Sequence, residues 1–175
     1  MVEVVRYDPA WPAAAQAAIA EVRAALAGVP LEIEHIGSTA VPGLAAKPTI
    51  DLMAAVADLS EVKGRSAGLG EIGFRPHDNG MQDRLLYARD SGPDRTHILH
   101  VVTAASWPVR NQRILRDHLR SHPEDAARYA ELKWSLAAGG LSHPEYTRAK
   151  TELIQELTDR ARAALGLPSV PVWEK

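Results

Sequence analysis

The stretch His35-Ile-Gly-Ser-Thr-Ala-Val-Pro-Gly-Leu-Ala-Ala-Lys-Pro-Thr-Ile-Asp51 decides how the rest of the chain is read. It joins two segments that both read as strands. Before it, Leu31-Glu-Ile-Glu-His-Ile36 alternates, with Leu31, Ile33 and His35 on one face and Glu32, Glu34 and Ile36 on the other. After it, Thr49-Ile-Asp-Leu-Met-Ala-Ala-Val56 is an almost unbroken apolar run, as expected of an interior strand covered on both faces. Its one acid is Asp51. An unpaired carboxylate buried in such a strand costs several kcal/mol, of order 3. Asp51 is therefore either at an exposed strand end, as a metal ligand or base, or in an ion pair with Lys47 or an arginine. Between the strands, Gly37-Ser38-Thr39 allows close backbone approach, and its amides and hydroxyls suit a phosphate. An ordinary strand-to-helix turn is the plainer account of the same three residues. Taken with Asp51, the turn places phosphate-holding groups beside a carboxylate, the arrangement that phosphoryl or nucleotidyl transfer requires.

Outward from this core, the periodicity predicts a helix over 13–27 closed by Gly28 and a helix over 59–69. Strands over 84–89 and 95–102 are expected to form an antiparallel hairpin. Residues 2–7 read as a short edge strand. From Trp107 the period becomes helical, with helices expected near 108–120, 123–138 and 144–165, broken at His122-Pro123 and Gly139-Gly140. The expected architecture is α+β: one domain over 1–167, with a mixed sheet within 1–103, a helical C-terminal third over 107–165, and a tail over 168–175 that is mobile unless Trp173 docks.

Composition narrows the chemistry. The 175 residues include no cysteine, which removes thiol nucleophiles and Cys-ligated zinc. The formal net charge of −2 and the lack of an aromatic platform argue against nucleic-acid binding. No segment has the length of apolar sequence a membrane span needs, and no apolar leader follows Met1, so a cytoplasmic location is expected. His97 and His100 stand on opposite faces of one strand, so at most one shares the face of Asp51. Arg110, Arg113, Arg116 and Arg120 fall within about 120° of a helical wheel. They form either a solvated face or cations leaning toward an anion. Tyr129/Lys133 and Tyr146/Lys150 repeat one Tyr-x-x-x-Lys spacing on successive helices. Lys150 shares its stripe with Tyr146, Ile154, Leu157 and Ala161, so its ammonium either snorkels or enters a semi-buried site. For Tyr129, simple packing over Lys133 is the plainer account.

The 35–51 string resembles the GrpB family closely. So do Tyr7-Asp-Pro-Ala-Trp11, Leu99-His-Val-Val102, Arg116-Asp-His-Leu-Arg120 with His122-Pro123, Tyr129-Ala-Glu-Leu-Lys133 and Tyr146-Thr-Arg-Ala-Lys150. The resemblance implies a nucleotidyltransferase-like sheet related to that of DNA polymerase beta. Related domains occur fused to dephospho-coenzyme A kinase. In that superfamily a Gly-Ser turn precedes two acids on the next strand, and a third acid follows on a later one. Gly37-Ser38 and Asp51 match; Met53 stands where the second acid is expected, and His97 and His100 lie near the third position. The resemblance thus implies transfer of a nucleotidyl or phosphoryl group to or from a phosphorylated small molecule. Asp51 and His100 would hold Mg²⁺ or Mn²⁺, and Asp51, His35 and His100 would serve catalysis. Gly37, Ser38, Thr39, Lys47, Arg116, Arg120, Lys133, Tyr146 and Lys150 would bind the phosphorylated ligand. The replacement of an acid by Met53 equally suits a non-catalytic module that binds a nucleotide or a coenzyme A-like ligand.

Overall fold

The computed structural model describes residues 3–78 and 80–172. Its organising element is β2 (Ile50–Val56), in which only Asp51 escapes full burial. β1 (Leu31–Ile36) pairs with β2 antiparallel, matching Ile36 to Asp51. On its other side β5 (Asp94–Thr103) runs parallel, matching Asp51 to Ile98 and Met53 to His100. β4 (Leu85–Ser91) forms the expected hairpin with β5, and the two-residue β3 (Arg75–Pro76) completes the order β1-β2-β5-β4-β3.

Side-chain alternation divides the sheet into two chemically different faces. Ile33, Leu52, Ala54, Tyr87, Leu99 and Val101 belong to the main core, which they share with α1 (Trp11–Ala25), α2 (Leu59–Lys63) and α3 (Ser66–Glu71). The opposite face carries Ile36, Met53, Ala55 and Val102, with Trp107 packed on them. Asp51 and His100 belong to this second face by register, whereas His35 and His97 belong to the first.

The helical third consists of α4 (Asn111–Ser121), α5 (Pro123–Ala138) and α6 (His143–Ala164), the last opened by a capping box between Ser142 and Glu145. The loop after the Gly-Ser turn acts as a wedge between sheet and helices. Val41 and Leu44 pack among Leu119, Tyr129, Ile154 and Leu157, and Ala45 packs with Val4 and Tyr146. A second seam is ionic. Arg113 and Arg116 both grip Glu34 of β1, Arg116 also donates to the His35 carbonyl at 2.9 Å, and Arg120 donates to the Ala40 carbonyl at 2.9 Å. Within the bundle Asp125, 1% exposed, accepts from His118 Nε2 at 2.7 Å and from Arg160.

Three expectations change. The helix over 59–69 is two short helices, divided at Gly64-Arg65. The expected edge strand reduces, among the described residues, to one bridge between Val5 and Ala46, because the wedge loop is its only partner there. The helix expected from 108 starts at Asn111. A 3₁₀ segment, Ala104–Val109, precedes it and contains Pro108. Trp173 lies outside the described residues.

Gly37 sets the tightest backbone constraint. Its φ is +75°, and a Cβ built on it would stand 2.6 Å from Asp51 Oδ2. Gly37→Ala should therefore lower the unfolding free energy by about 1–3 kcal/mol. In urea melts, adding Asp51→Ala should return part of that loss, leaving the portion due to φ. The buried histidines give a pH prediction. Burial first, and the nearby arginines second, hold His35 and His97 down to about 4 and His100 down to about 3. The unfolded chain, with histidines near 6.5, then binds more protons than the folded one. Stability should fall as pH drops from about 6.5 toward 4, and His97→Gln should flatten that slope in pH-resolved urea melts.

Candidate phosphate-binding site

The loop after β1 and a cation from α5 meet at the Gly37-Ser38 turn. The Lys133 ammonium, on a side chain only 2% exposed, donates to Ser38 Oγ at 3.0 Å and lies 4.3 Å from the centre of the Tyr129 ring. Asp51 Oδ2 packs against Gly37 of the same turn. On α6, Tyr146 is buried and its ring carries two further ammonium groups. Lys150 Nζ is 4.8 Å and Lys47 Nζ 5.5 Å from its centroid. Tyr146 packs beside Ala130 and Ala137 of α5, whose spacing puts them on the Lys133 stripe. Tyr146 thereby packs on the α5 stripe that carries Lys133.

The spacing rules explain this convergence. In a helix, residues four apart lie one turn over each other, so each tyrosine ring underlies the ammonium of its own lysine. The ring face is electron-rich and partly offsets the loss of water around a buried cation. Sequence reasoning treated Tyr129 as packing and missed its part here. The signal was present in its spacing to Lys133, which repeats that of Tyr146 to Lys150.

Other residues singled out by sequence go elsewhere. His35 turns to the opposite face of the sheet, where its Nε2 lies 2.8 Å from Thr39 Oγ1; that hydroxyl also donates to the Thr49 carbonyl. Arg116 is occupied by Glu34, Asp117 and the His35 carbonyl, and Arg120 bonds the Ala40 carbonyl. Burial raises the Glu34 pKa, but hydrogen bonds from Arg113 and Arg116 outweigh it and hold this carboxyl below its ordinary range. His35, Arg116 and Arg120 line a shallow groove beside α1 together with Gln16 and Arg23. The four arginines of the stripe are thus neither a solvated face nor arranged around Asp51. His100 does share the face of Asp51, but its Nδ1 lies 3.4 Å from an Arg84 nitrogen.

The donor set around Asp51 does not fit a divalent metal centre. Directly beside it on that face are Met53 on its own strand, Ile36 on β1 and Ile98 on β5, none with a hard oxygen ligand, while Glu34 and His100, one position along, are engaged by arginines. Among the described residues, no group of three or more His, Asp or Glu side chains could hold a metal ion.

Comparison with known proteins agrees with the architecture. The family model described as GrpB protein matches residues 1–160. A UPF0157 protein from Pseudomonas aeruginosa is 38% identical over 174 residues, covering 97% of this chain and 71% of its own. The crystal structure of the conserved protein GrpB from Enterococcus faecalis superposes with a TM-score of 0.85 at 30% identity, over 94% of this chain and 99% of that one. A structure of the Cid1 poly(U) polymerase with Mg 3′-dATP bound matches 73% of this chain and 41% of its own, with a TM-score of 0.53 and 14% identity. That similarity is one of fold, and it makes the sheet and its adjoining helices nucleotidyltransferase-like. No helix among the described residues is long and apolar enough to cross a membrane. By sequence along its length and by fold, the chain belongs to the GrpB family.

Proposed function

We propose that this protein binds a nucleotide or another phosphorylated small molecule, with a phosphate seated at the Gly37-Ser38 turn among Lys133, Lys150 and Lys47. One observation carries the reading: a buried lysine ammonium 3.0 Å from Ser38 Oγ, next to a glycine turn with positive φ. Phosphate recognition needs donors and positive charge at short range. The hydroxyl, the turn amides and the lysines provide both. The nucleotide-bound Cid1 structure supports the choice of ligand class through its fold alone. Burial strengthens the interaction, since water competes less for the phosphate oxygens.

Asp51 favours a second reading, transfer of a nucleotidyl or phosphoryl group. It stands at the first acid position that the resemblance implies, next to the turn, where a carboxylate could accept a proton from an attacking hydroxyl. Met53 and Ile98, at the neighbouring strand positions, supply no second carboxylate for a pair of divalent ions. Binding is therefore the leading reading.

Thermal denaturation separates the two. Nucleoside triphosphates and coenzyme A precursors should raise the midpoint without Mg²⁺ or Mn²⁺. At about 100 times its dissociation constant a ligand adds roughly 2.7 kcal/mol. Lys133→Met, with folding verified by circular dichroism, should abolish the shift, and Asp51→Asn should keep it. A shift that requires the metal and disappears in Asp51→Asn would favour transfer instead. Absence of a shift with every phosphorylated compound would defeat both readings.

A further inference from the structure

A larger cavity, of about 970 Å³, lies away from the Gly-Ser turn, at the other end of the strands. Its walls include Thr103 at the end of β5, Asp83 and Arg84 just before β4, Arg110 before α4, and Thr158 and Arg162 of α6. Asp51 is near the start of β2, and Thr103 pairs with Val56 at its end. At about 3.3 Å per residue the two regions are roughly 17 Å apart. Along α6, Thr158 is two turns beyond Lys150, roughly 12 Å. This is a different site.

Its charge is unbalanced toward the positive. Among the described residues lining it are three guanidinium groups and one carboxylate. Arg84 and Arg110 both bond the single carboxylate of Asp83. Arg162 bonds only neutral acceptors, the carbonyls of Pro168 and Val109 and the Asn111 amide oxygen. The two guanidinium groups at Asp83 are nearly buried and fixed, Arg110 further held by Ser106 Oγ at 3.0 Å. Asp83 itself is mostly solvent-exposed, so an incoming anion can replace its carboxylate while the arginines stay in place. The remaining wall is apolar, with Leu115, Ile154, Val170 and Val172. Thr158, 0% exposed, has no hydrogen-bond partner for its hydroxyl among the described residues, an unfilled polar contact in a wall that is otherwise satisfied.

We propose that this cavity is a second binding site, for an organic anion with a carboxylate or phosphate head on an apolar body. The head displaces Asp83 from Arg84 and Arg110, and the body lies along Leu115 and Ile154 toward Thr158. Replacing one carboxylate by another anion changes the charge pairing little, so apolar burial supplies most of the affinity. The last described segment of the chain forms part of the enclosure. Gln155 holds it through the Val170 carbonyl and the Val172 amide, both within 2.9 Å.

The test is fluorescence titration of the full chain with 8-anilinonaphthalene-1-sulfonate, an apolar body with one anionic head, followed by competition with octanoate and with octyl phosphate. One saturable site is expected. Asp83→Asn should tighten it about tenfold by removing the internal competitor, and Arg110→Met should weaken it about tenfold. Val109→Trp, at an exposed residue of the rim, should block it. Whichever competitor is stronger identifies the head group. Lys133→Met should leave the titration unchanged, so this site and the phosphate site can fail separately. The proposal is overturned by non-saturable binding, or by equal affinity in Asp83→Asn, Arg110→Met and the unmodified chain. The exposed position of Asp83 makes its variant the decisive one if Arg110→Met does not fold.

Discussion

Two lysines buried in the helical third constrain the rest of the molecule. Lys133 and Lys150 are 2% and 8% exposed, and an ammonium taken out of water is stable only where acceptors and electron-rich rings replace the solvent. Tyr129, Tyr146 and Ser38 do so, and Ser38 can only be there if the loop after β1 reaches the helices. That loop reaches them because Val41 and Leu44 anchor it in the bundle core. The order of causes runs from apolar anchoring, through loop position, to satisfaction of the lysines. Burying two such side chains provides about 3–6 kcal/mol, enough to hold the loop in place while the polar contacts fix its register.

The arginine seam does a different job. Glu34 is partly exposed, and pairs of this kind contribute little net stability, but leaving Arg116 buried without its carboxylate would be costly. The seam therefore specifies how α4 sits on β1 more than it stabilises the contact. It also occupies Arg113 and Arg116, two arginines that look available in sequence, on Glu34, which shares the sheet face of Asp51.

Much of this was legible in the chain itself. The continuous apolar run over 50–56 announces an interior strand, and the change of period after Trp107 announces the helices. The Tyr-x-x-x-Lys repeats mark the helix stripes that turn inward. Facing is harder to read. Alternation puts His35 and Ile36 on opposite faces, but only the register with β2 shows that Ile36, not His35, lies beside Asp51. The cluster of Asp83, Arg84 and Arg110 left no trace in sequence, because its members come together through the sheet order and not through any spacing. The short length of the two helices after β2 was also hidden, because Gly64-Arg65 is not by itself a strong stop signal.

Charge at the turn bears most directly on chemistry. Lys133 bonds Ser38 and the Asp51 carboxylate packs on Gly37, Lys150 and Lys47 gather over the Tyr146 ring, and the strand positions that could have added carboxylates hold Met53 and Ile98. A divalent cation entering there meets the Lys133 ammonium and one hard ligand, Asp51. Replacing Met53 by aspartate would not simply restore a metal centre, because Met53 is fully buried against Ile36 and Val102. The new carboxylate would have to be desolvated in an apolar layer before any metal arrived. The packing of that layer, and not the loss of one acid alone, therefore stands against a second carboxylate at this position.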